Sequence, residues 1–290
     1  MAAADRQALV TVDAWPLAVP ARLPRRNDDT RLMHLSVSSL ALFWRCPERW
    51  RRRYLERQPE PQSAAMVVGK AVGATITAHF ASRMAGQALS ASEADDLCLA
   101  EFDERAAQPL TDFGEGDPAE LRVQAREALR AYLEELAPSV RPVSVERRFE
   151  LRFDGAEWSI VGYLDVEDAS GEVIDVKVGA KHVSEVRAER DPQPTVYGLA
   201  RRVEGRPDGR FVFHSVRRGP IRSGGRCLVV PARRAAASLA AMEARIAQTA
   251  RQIDRCAETG DWPLSPPDGW WCSSGHCGFW SQCLGGGVAR

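Results

Sequence analysis

Apolar residues recur three and four apart through the first half of the chain, and every second residue through the middle. The first periodic segment begins at Leu35. There Ser36, Ser38 and Ser39 offer helix caps ahead of Leu40, Phe43 and Trp44, and Pro47 can open a further helical turn with Trp50 and Tyr54 on its apolar side. A Pro/Gln/Ser linker occupies 59–63, after which helical spacing covers 67–84, 93–106 and 119–136. The period then changes. Residues 143–153 and 158–166 alternate as strands do, 173–176 is a short apolar strand, and Asp154-Gly155 and Ser170-Gly171 supply turns. A helix over 192–203, strands over 211–216 and 227–230, and an alanine-rich helix over 232–258 complete the pattern. Helices, three strands, helix, two strands and helix, with no internal repeat, predict an α/β fold with a central mixed β-sheet flanked by helices. Residues 1–34 carry three prolines and no sustained period, and read as an N-terminal extension.

Composition agrees with a folded chain: 290 residues, 44% hydrophobic and 27% charged. The formal charge of zero argues against a uniformly basic surface, but arginine is unevenly spread. Six arginines lie between Arg45 and Arg57 against Glu48 and Glu56, and eight between Arg201 and Arg226 against Glu204 and Asp208. Those runs leave either a basic groove on a neutral molecule or two solvated helix faces. No apolar run reaches the length of a bilayer span, and Asp5, Arg6, Asp13 and Pro16 interrupt any export signal. A cytoplasmic setting without membrane contact is expected. In that setting clustered cysteines bind metal more often than they form disulfides.

Only three lysines stand among the 39 basic residues, and two of them, Lys177 and Lys181, lie in or just after Gly162-Tyr-Leu-Asp165 and Ile174-Asp175-Val176-Lys177. A lysine two residues after an aspartate, in a chain that otherwise writes positive charge as arginine, points to a task for a compact rotatable ammonium. Asp165 is expected to end one strand and Asp175 the next, so that both carboxylates converge at a sheet edge. Such hard oxygen ligands suit Mg²⁺ or Mn²⁺, with the Val176 carbonyl and water completing the shell. Lys177 would orient or help deprotonate a water and offset phosphate charge, with Glu146 on the preceding strand as a further ligand or water contact. Gln193 and Tyr197, four apart on a helix, share one face: the amide suits the lysine or the water, the phenol a DNA backbone or base. The plainer reading makes the acids strand-end surface residues and the tyrosine part of the core.

A second group is made of cysteine. Cys272, Cys277 and Cys283 have four and five residues between them, among Trp270, Trp271, Phe279 and Trp280, and Cys46 precedes Cys272 by 226 positions. Four thiolates can hold a 4Fe-4S cluster or a zinc ion, and the aromatic residues would keep water away. Cys98, Cys227 and Cys256 fall in helix or strand patterns and read as small buried apolar residues. His276 is a bystander in the cluster reading and a ligand in the zinc reading.

These motifs together resemble the RecB-like exonucleases of the PD-(D/E)XK superfamily, in the branch bearing an iron-sulfur cluster that includes AddB-type helicase-nuclease subunits, CRISPR adaptation nucleases and many phage exonucleases. The matching stretches are Ser36-Val-Ser38-Ser39 with Cys46-Pro47, Glu146-x-x-Phe149, Gly162-x-x-Asp165, Asp175-Val-Lys177, Gln193-x-x-x-Tyr197 and the cysteine triplet, spanning 36–283. The resemblance implies a restriction-endonuclease-like core over 35–262 and a C-terminal iron-sulfur element over 263–290 closed by Cys46. It also implies a metal-dependent exonuclease acting on single-stranded DNA or DNA ends in recombination, repair, phage DNA metabolism or CRISPR-type processing, alongside a helicase or recombination partner. One position departs from the family: G-x-x-x-H carries a metal-binding histidine, whereas Gly69-Lys-Ala-Val-Gly73 ends in glycine. That departure keeps two other readings open, a catalytically weak or inactive DNA-binding module of the same fold and a zinc-stapled adaptor.

Overall fold

The computed structural model describes residues 10–12, 22–23, 33–206, 209–221, 224–266 and 268–283, so most of the 1–34 extension, and the end of the C-terminal element, lie outside the described residues. In chain order the elements are β1 (Val10–Val12), β2 (Met33–Leu35), α1 (Val37–Arg45), α2 (Pro47–Trp50, running into a π turn over Arg51–Leu55), β3 (Gln62–Ser63), α3 (Ala64–Met84), α4 (Ala91–Ala106), β4 (Thr111–Asp112) and α5 (Pro118–Glu135). There follow β5 (Pro142–Phe153), β6 (Trp158–Asp168), β7 (Val173–Gly179), α6 (Glu185–Arg190), α7 (Pro192–Val203), β8 (Phe211–Arg217), β9 (Cys227–Pro231) and α8 (Ala236–Thr259).

Among the described residues one sheet runs in the order β1-β5-β6-β7-β8-β9, with β2 also pairing β6. It is mixed: β5, β6 and β7 form an antiparallel meander, β7 pairs β8 in parallel, and β9 returns antiparallel. Each face buries an apolar layer. Val166, Ile174, Val212 and Val216 pack with α3, α4 and α5, whereas Phe149, Leu151, Leu164, Val173 and Phe213 pack with α1, α7 and α8. This is the α/β architecture the alternating pattern predicts, with helices covering both sheet faces.

Three expectations are corrected. Asp165 does not end its strand: β6 continues to Asp168 and turns directly into β7, so Asp165 and Asp175 both lie inside strands. The helix α6 has too few residues to display a helical period and does not appear in the sequence pattern. Finally, Ala64–Met84 is long and apolar enough by composition to cross a bilayer. It packs here as a core helix, burying Val67, Val68, Ala71, Val72, Ile76 and Phe80 between the sheet and its neighbours.

The first helices are fixed locally. Ser36 Oγ accepts from the Ser39 N–H at 3.1 Å to cap α1. Cys46 closes α1 and caps α2, its Sγ accepting from the Arg49 N–H at 3.4 Å, with Pro47 in the first helical position where no N–H is needed. The C-terminal segment folds back onto α2: Trp262 stacks on Trp50 with ring centroids 5.9 Å apart, and the Glu48 N–H donates to the Pro263 carbonyl at 3.3 Å.

Candidate active site

The β6/β7 fork brings the acids together. These strands pair only at Val166↔Ile174 and Glu167↔Val173, after which β7 leaves β6 to follow β8. Asp165 and Asp175 are the next residues along each arm. Separation leaves the Val176 N–H without a strand partner on that side, and Asp165 Oδ2 accepts from it at 3.2 Å. Asp175 is 3% exposed, and neither of its oxygens accepts a properly directed hydrogen bond. Lys177 Nζ lies 2.6 Å from Asp175 Oδ2 as a close ion pair, which leaves Oδ1 without a partner. A buried carboxylate and a half-buried one with a single ammonium between them leave an uncompensated negative charge, which is costly without a cation.

Lys177 is held from three sides. Its ammonium contacts Asp175, donates to Gln193 Oε1 at 2.9 Å, and sits 5.8 Å from the centre of the Phe213 ring. Gln193 is fixed in turn, its Nε2 donating to Tyr197 Oη at 2.6 Å. Asp191 caps α7 by accepting from the Gln193 N–H at 2.9 Å, which aims the first turn of that helix at the fork. Burial raises the pKa of both Asp165 and Asp175, and the charge of Asp165 raises Asp175 further, while Lys177 opposes the shift in each. Burial alone would lower Lys177, but Asp175 and Asp165 outweigh it and hold the ammonium up.

Tyr197 is 3% exposed and packs edge-on against Phe149, so its ring lies in the core and not on a surface that a base could stack on. Glu146 also stands apart. It faces Asp165 across the β5/β6 register but has a left-handed backbone, φ 46°, and its Oε1 lies 3.5 Å from Thr77 Oγ1 on α3. A non-glycine residue in that region is strained by roughly 1–3 kcal/mol. Burial first, then Asp175, raises the Glu146 pKa. Gly73, one turn before Thr77, has nothing within 4 Å of where a Cβ would stand, so the space left by the missing side chain is open. Among the described residues, no three His, Cys, Asp or Glu side chains gather closely enough to hold a metal ion.

The sequence profile of the PD-(D/E)XK nuclease superfamily matches residues 34–284. The chain belongs to the PD-(D/E)XK nuclease superfamily. A crystal structure of a candidate exonuclease from Eubacterium rectale shares the fold of this superfamily member, with a TM-score of 0.55 at 15% identity, over 82% of this chain and 86% of that one. No curated protein matches the chain by sequence.

The cysteine residues of this nuclease-family chain converge. Cys46, Cys272, Cys277 and Cys283 line one cavity, whose other walls include Trp271, Phe279, Trp280 and Leu264. Burial first, then the neighbouring Cys46 and Cys283, raise the Cys272 thiol. Cys98 and Cys256 are buried elsewhere, as expected of small apolar residues, whereas Cys227, expected to be buried with them, is only partly so at the start of the edge strand β9.

Sequence reasoning missed the wall facing the acids. A cleft of about 630 Å³ opens over Asp165 and Lys177, and Arg45, Arg187, Tyr163 and Asp191 also line it. The first arginine run gave a partial signal, but its other members are mostly neutralised: Arg49 and Arg53 pair with Glu60, and Arg51 and Arg52 with Glu48. In the second run Arg201 and Arg206 pair with Glu167, and Arg202 with Glu243.

Proposed function

We propose that the chain is a metal-dependent exonuclease hydrolysing phosphodiester bonds at DNA ends, of the RecB-like type with a cysteine-bound iron-sulfur cluster. The observation that carries the reading is the buried Asp175, paired with Lys177 through Oδ2 and left without a partner at Oδ1, directly behind the Asp165 and Lys177 that line an open cleft. This donor set fits a divalent cation: Asp165, Asp175 and the Val176 carbonyl would hold Mg²⁺ or Mn²⁺, hard ions suited to oxygen. Such an ion, when bound, supplies Lewis-acid charge to a phosphoryl oxygen and makes water a better nucleophile. Lys177 remains an ammonium because the two acids raise its pKa, so it serves as a donor that orients water and offsets developing phosphate charge, not as a base. Gln193 fixes the direction of that donor, and Tyr197 fixes Gln193.

Four thiols on one aromatic-walled cavity supply the ligand number of a 4Fe-4S cluster, with Cys46 joining the triplet, although the thiols as they stand are too far apart for three to share an ion and would have to draw together on binding. Clustered thiols oppose one another's ionisation unless a cation neutralises them, which is what such a site supplies. The cluster would close the C-terminal segment against α2.

Purified protein should degrade linear but not closed circular DNA, and only with divalent metal. Asp175→Ala and Lys177→Ala should each lower the rate about 100-fold or more while leaving the circular dichroism spectrum unchanged, and Lys177→Arg should fail nearly as badly. Undiminished cleavage in any of the three would place the centre elsewhere. The open space at Gly73 favours one other reading, a DNA-binding partner module with weak or no activity. Failure of the wild type to cut with Mn²⁺ at any concentration would select it.

A further inference from the structure

The cleft over Asp165 and Lys177 also carries basic side chains that the hydrolytic chemistry does not itself require. Arg45 and Arg187 line it together, and among the described residues neither guanidinium forms an ion pair, unlike Arg49, Arg51, Arg52 and Arg53 close by in sequence. Both side chains are exposed and screened by water, and Asp191 on the same cleft opposes them only in part, so the pair remains available to an anion. Burial first, then Arg187 and Arg49, lower the Arg45 pKa, which places the two guanidinium groups within electrostatic reach of each other.

Arg45 also connects the cleft to the cysteine-rich segment. It is the last residue of α1, immediately before Cys46, and its guanidinium lies over the Trp270 ring, 5.8 Å from the centroid. Trp270 is 62% exposed, the highest value among the large hydrophobic side chains, although perpendicular contacts with Trp271 and His276 at 5.7 and 5.0 Å hold the ring in place. An indole that is both ordered and open to solvent is unusual, since burying it would normally be favourable. Tyr163, 49% exposed, presents a second ring on the wall of the same cleft.

We infer that Arg45 and Arg187 jointly hold a phosphate of a single DNA strand, and that Trp270 stacks on an unpaired base of that strand as it passes from the cysteine-rich segment to Asp175 and Lys177. The inference rests on the exonuclease reading and adds the residues that grip the strand. A base can stack on a protein ring only when it is not already stacked within a duplex, so the platform selects single strands. The cysteine-rich segment would thereby act in substrate binding as well as in closing the fold.

The test reads binding without turnover. Wild-type protein in EDTA is titrated with a fluorescein-labelled oligothymidylate and with a hairpin duplex over a series of salt concentrations, following anisotropy. Arg45→Ala and Arg187→Ala should each weaken single-strand binding and reduce the log–log salt slope by about 0.7, the value for one phosphate contact on a single strand. If both hold one phosphate, the double variant loses little more than either single. Trp270→Ala should lower single-strand affinity about tenfold with duplex affinity unchanged, and Trp270→Phe should restore most of it. Iron content and circular dichroism of the Trp270 variants should match the wild type. Equal single-strand affinity in wild type and Trp270→Ala, an equal loss on duplex, or unchanged salt slopes in both arginine variants would overturn the inference. Cleavage is scored separately with Mn²⁺, so a chain that binds as stated but does not cut would overturn only the nuclease reading.

Discussion

Gly162 and Phe149 show how much a single hydrogen atom can control. They are partners in the β5/β6 register, and a Cβ on Gly162 would stand 2.3 Å from Phe149 Cζ, so the ring lies across the space where a side chain would be. Phe149 packs edge-on to Tyr197 at 5.7 Å, and Tyr197 accepts from Gln193, which holds Lys177. Glu146-x-x-Phe149 and Gly162-x-x-Asp165 are therefore two halves of one antiparallel register. The residue three after Glu146 faces the residue three before Asp165. Both motifs are legible in the sequence, but their relation is not, because register is fixed by pairing and not by either strand alone. Gly162→Ala should force the ring aside and disturb Lys177 through this chain of contacts, costing about 1–3 kcal/mol of stability by overpacking. Cleavage should fall roughly 100-fold, as expected when a positioned group moves by about 1 Å. Chemical denaturation and single-turnover cleavage measure the two effects. A variant that loses stability but retains the wild-type single-turnover rate would show that the ring does not position the lysine.

At the level of elements, the sheet strands and the long helices follow directly from the periodicity, since each buries one face or one stripe and so carries a regular pattern. The fork is less legible. Asp165 reads as a strand end because a buried carboxylate inside a strand is rare, yet β6 runs past it and the polar residue is accommodated by the separation of β7 from β6. That geometry has a consequence for stability. Asp165 and Asp175 both have their pKa raised, by burial first. A carboxyl with a higher pKa in the folded than in the unfolded chain favours the protonated fold, so its stabilisation is full below the unfolded value and is lost as pH rises through the folded one. Metal-free protein should thus lose stability as pH climbs from the ordinary aspartate range toward neutrality, and Mn²⁺ should restore it by binding the ionised pair. Thermal unfolding in EDTA across this range should show a shallower decline for Asp175→Asn than for wild type. Equal slopes in the two proteins would mean that Asp175 is already ionised at no cost, and that the fork needs no cation.

On the scale of the whole molecule, α2 and the last described segment meet at the cysteine cavity, and this is where sequence spacing says least. The triplet is visible as a local motif, whereas Cys46 joins it only because α2 receives the returning C-terminal segment through the Trp50–Trp262 stack and the Gly278 N–H donating to Glu60 at 3.3 Å. Gly278 permits that approach, since a Cβ there would stand 2.7 Å from Glu60 and Pro61. The segment after α8 is otherwise held by short local turns, one 3₁₀ turn and a few side-chain contacts among its described residues, so on the cluster reading what the four thiols hold would add much to its order. Binding energy at a site absent from the unfolded chain is folding energy. On the cluster reading, Cys46→Ala should therefore destabilise as severely as Cys283→Ala despite their separation in sequence. Anaerobically purified protein should be brown with about four iron atoms per chain, and each variant should lose iron and unfold at lower temperature. A variant lacking Cys46 that keeps its iron and its melting temperature would show that the triplet binds without it. Stoichiometric zinc in place of iron in anaerobic preparations would replace the cluster with a single-ion staple, leaving the Asp175 and Lys177 centre untouched.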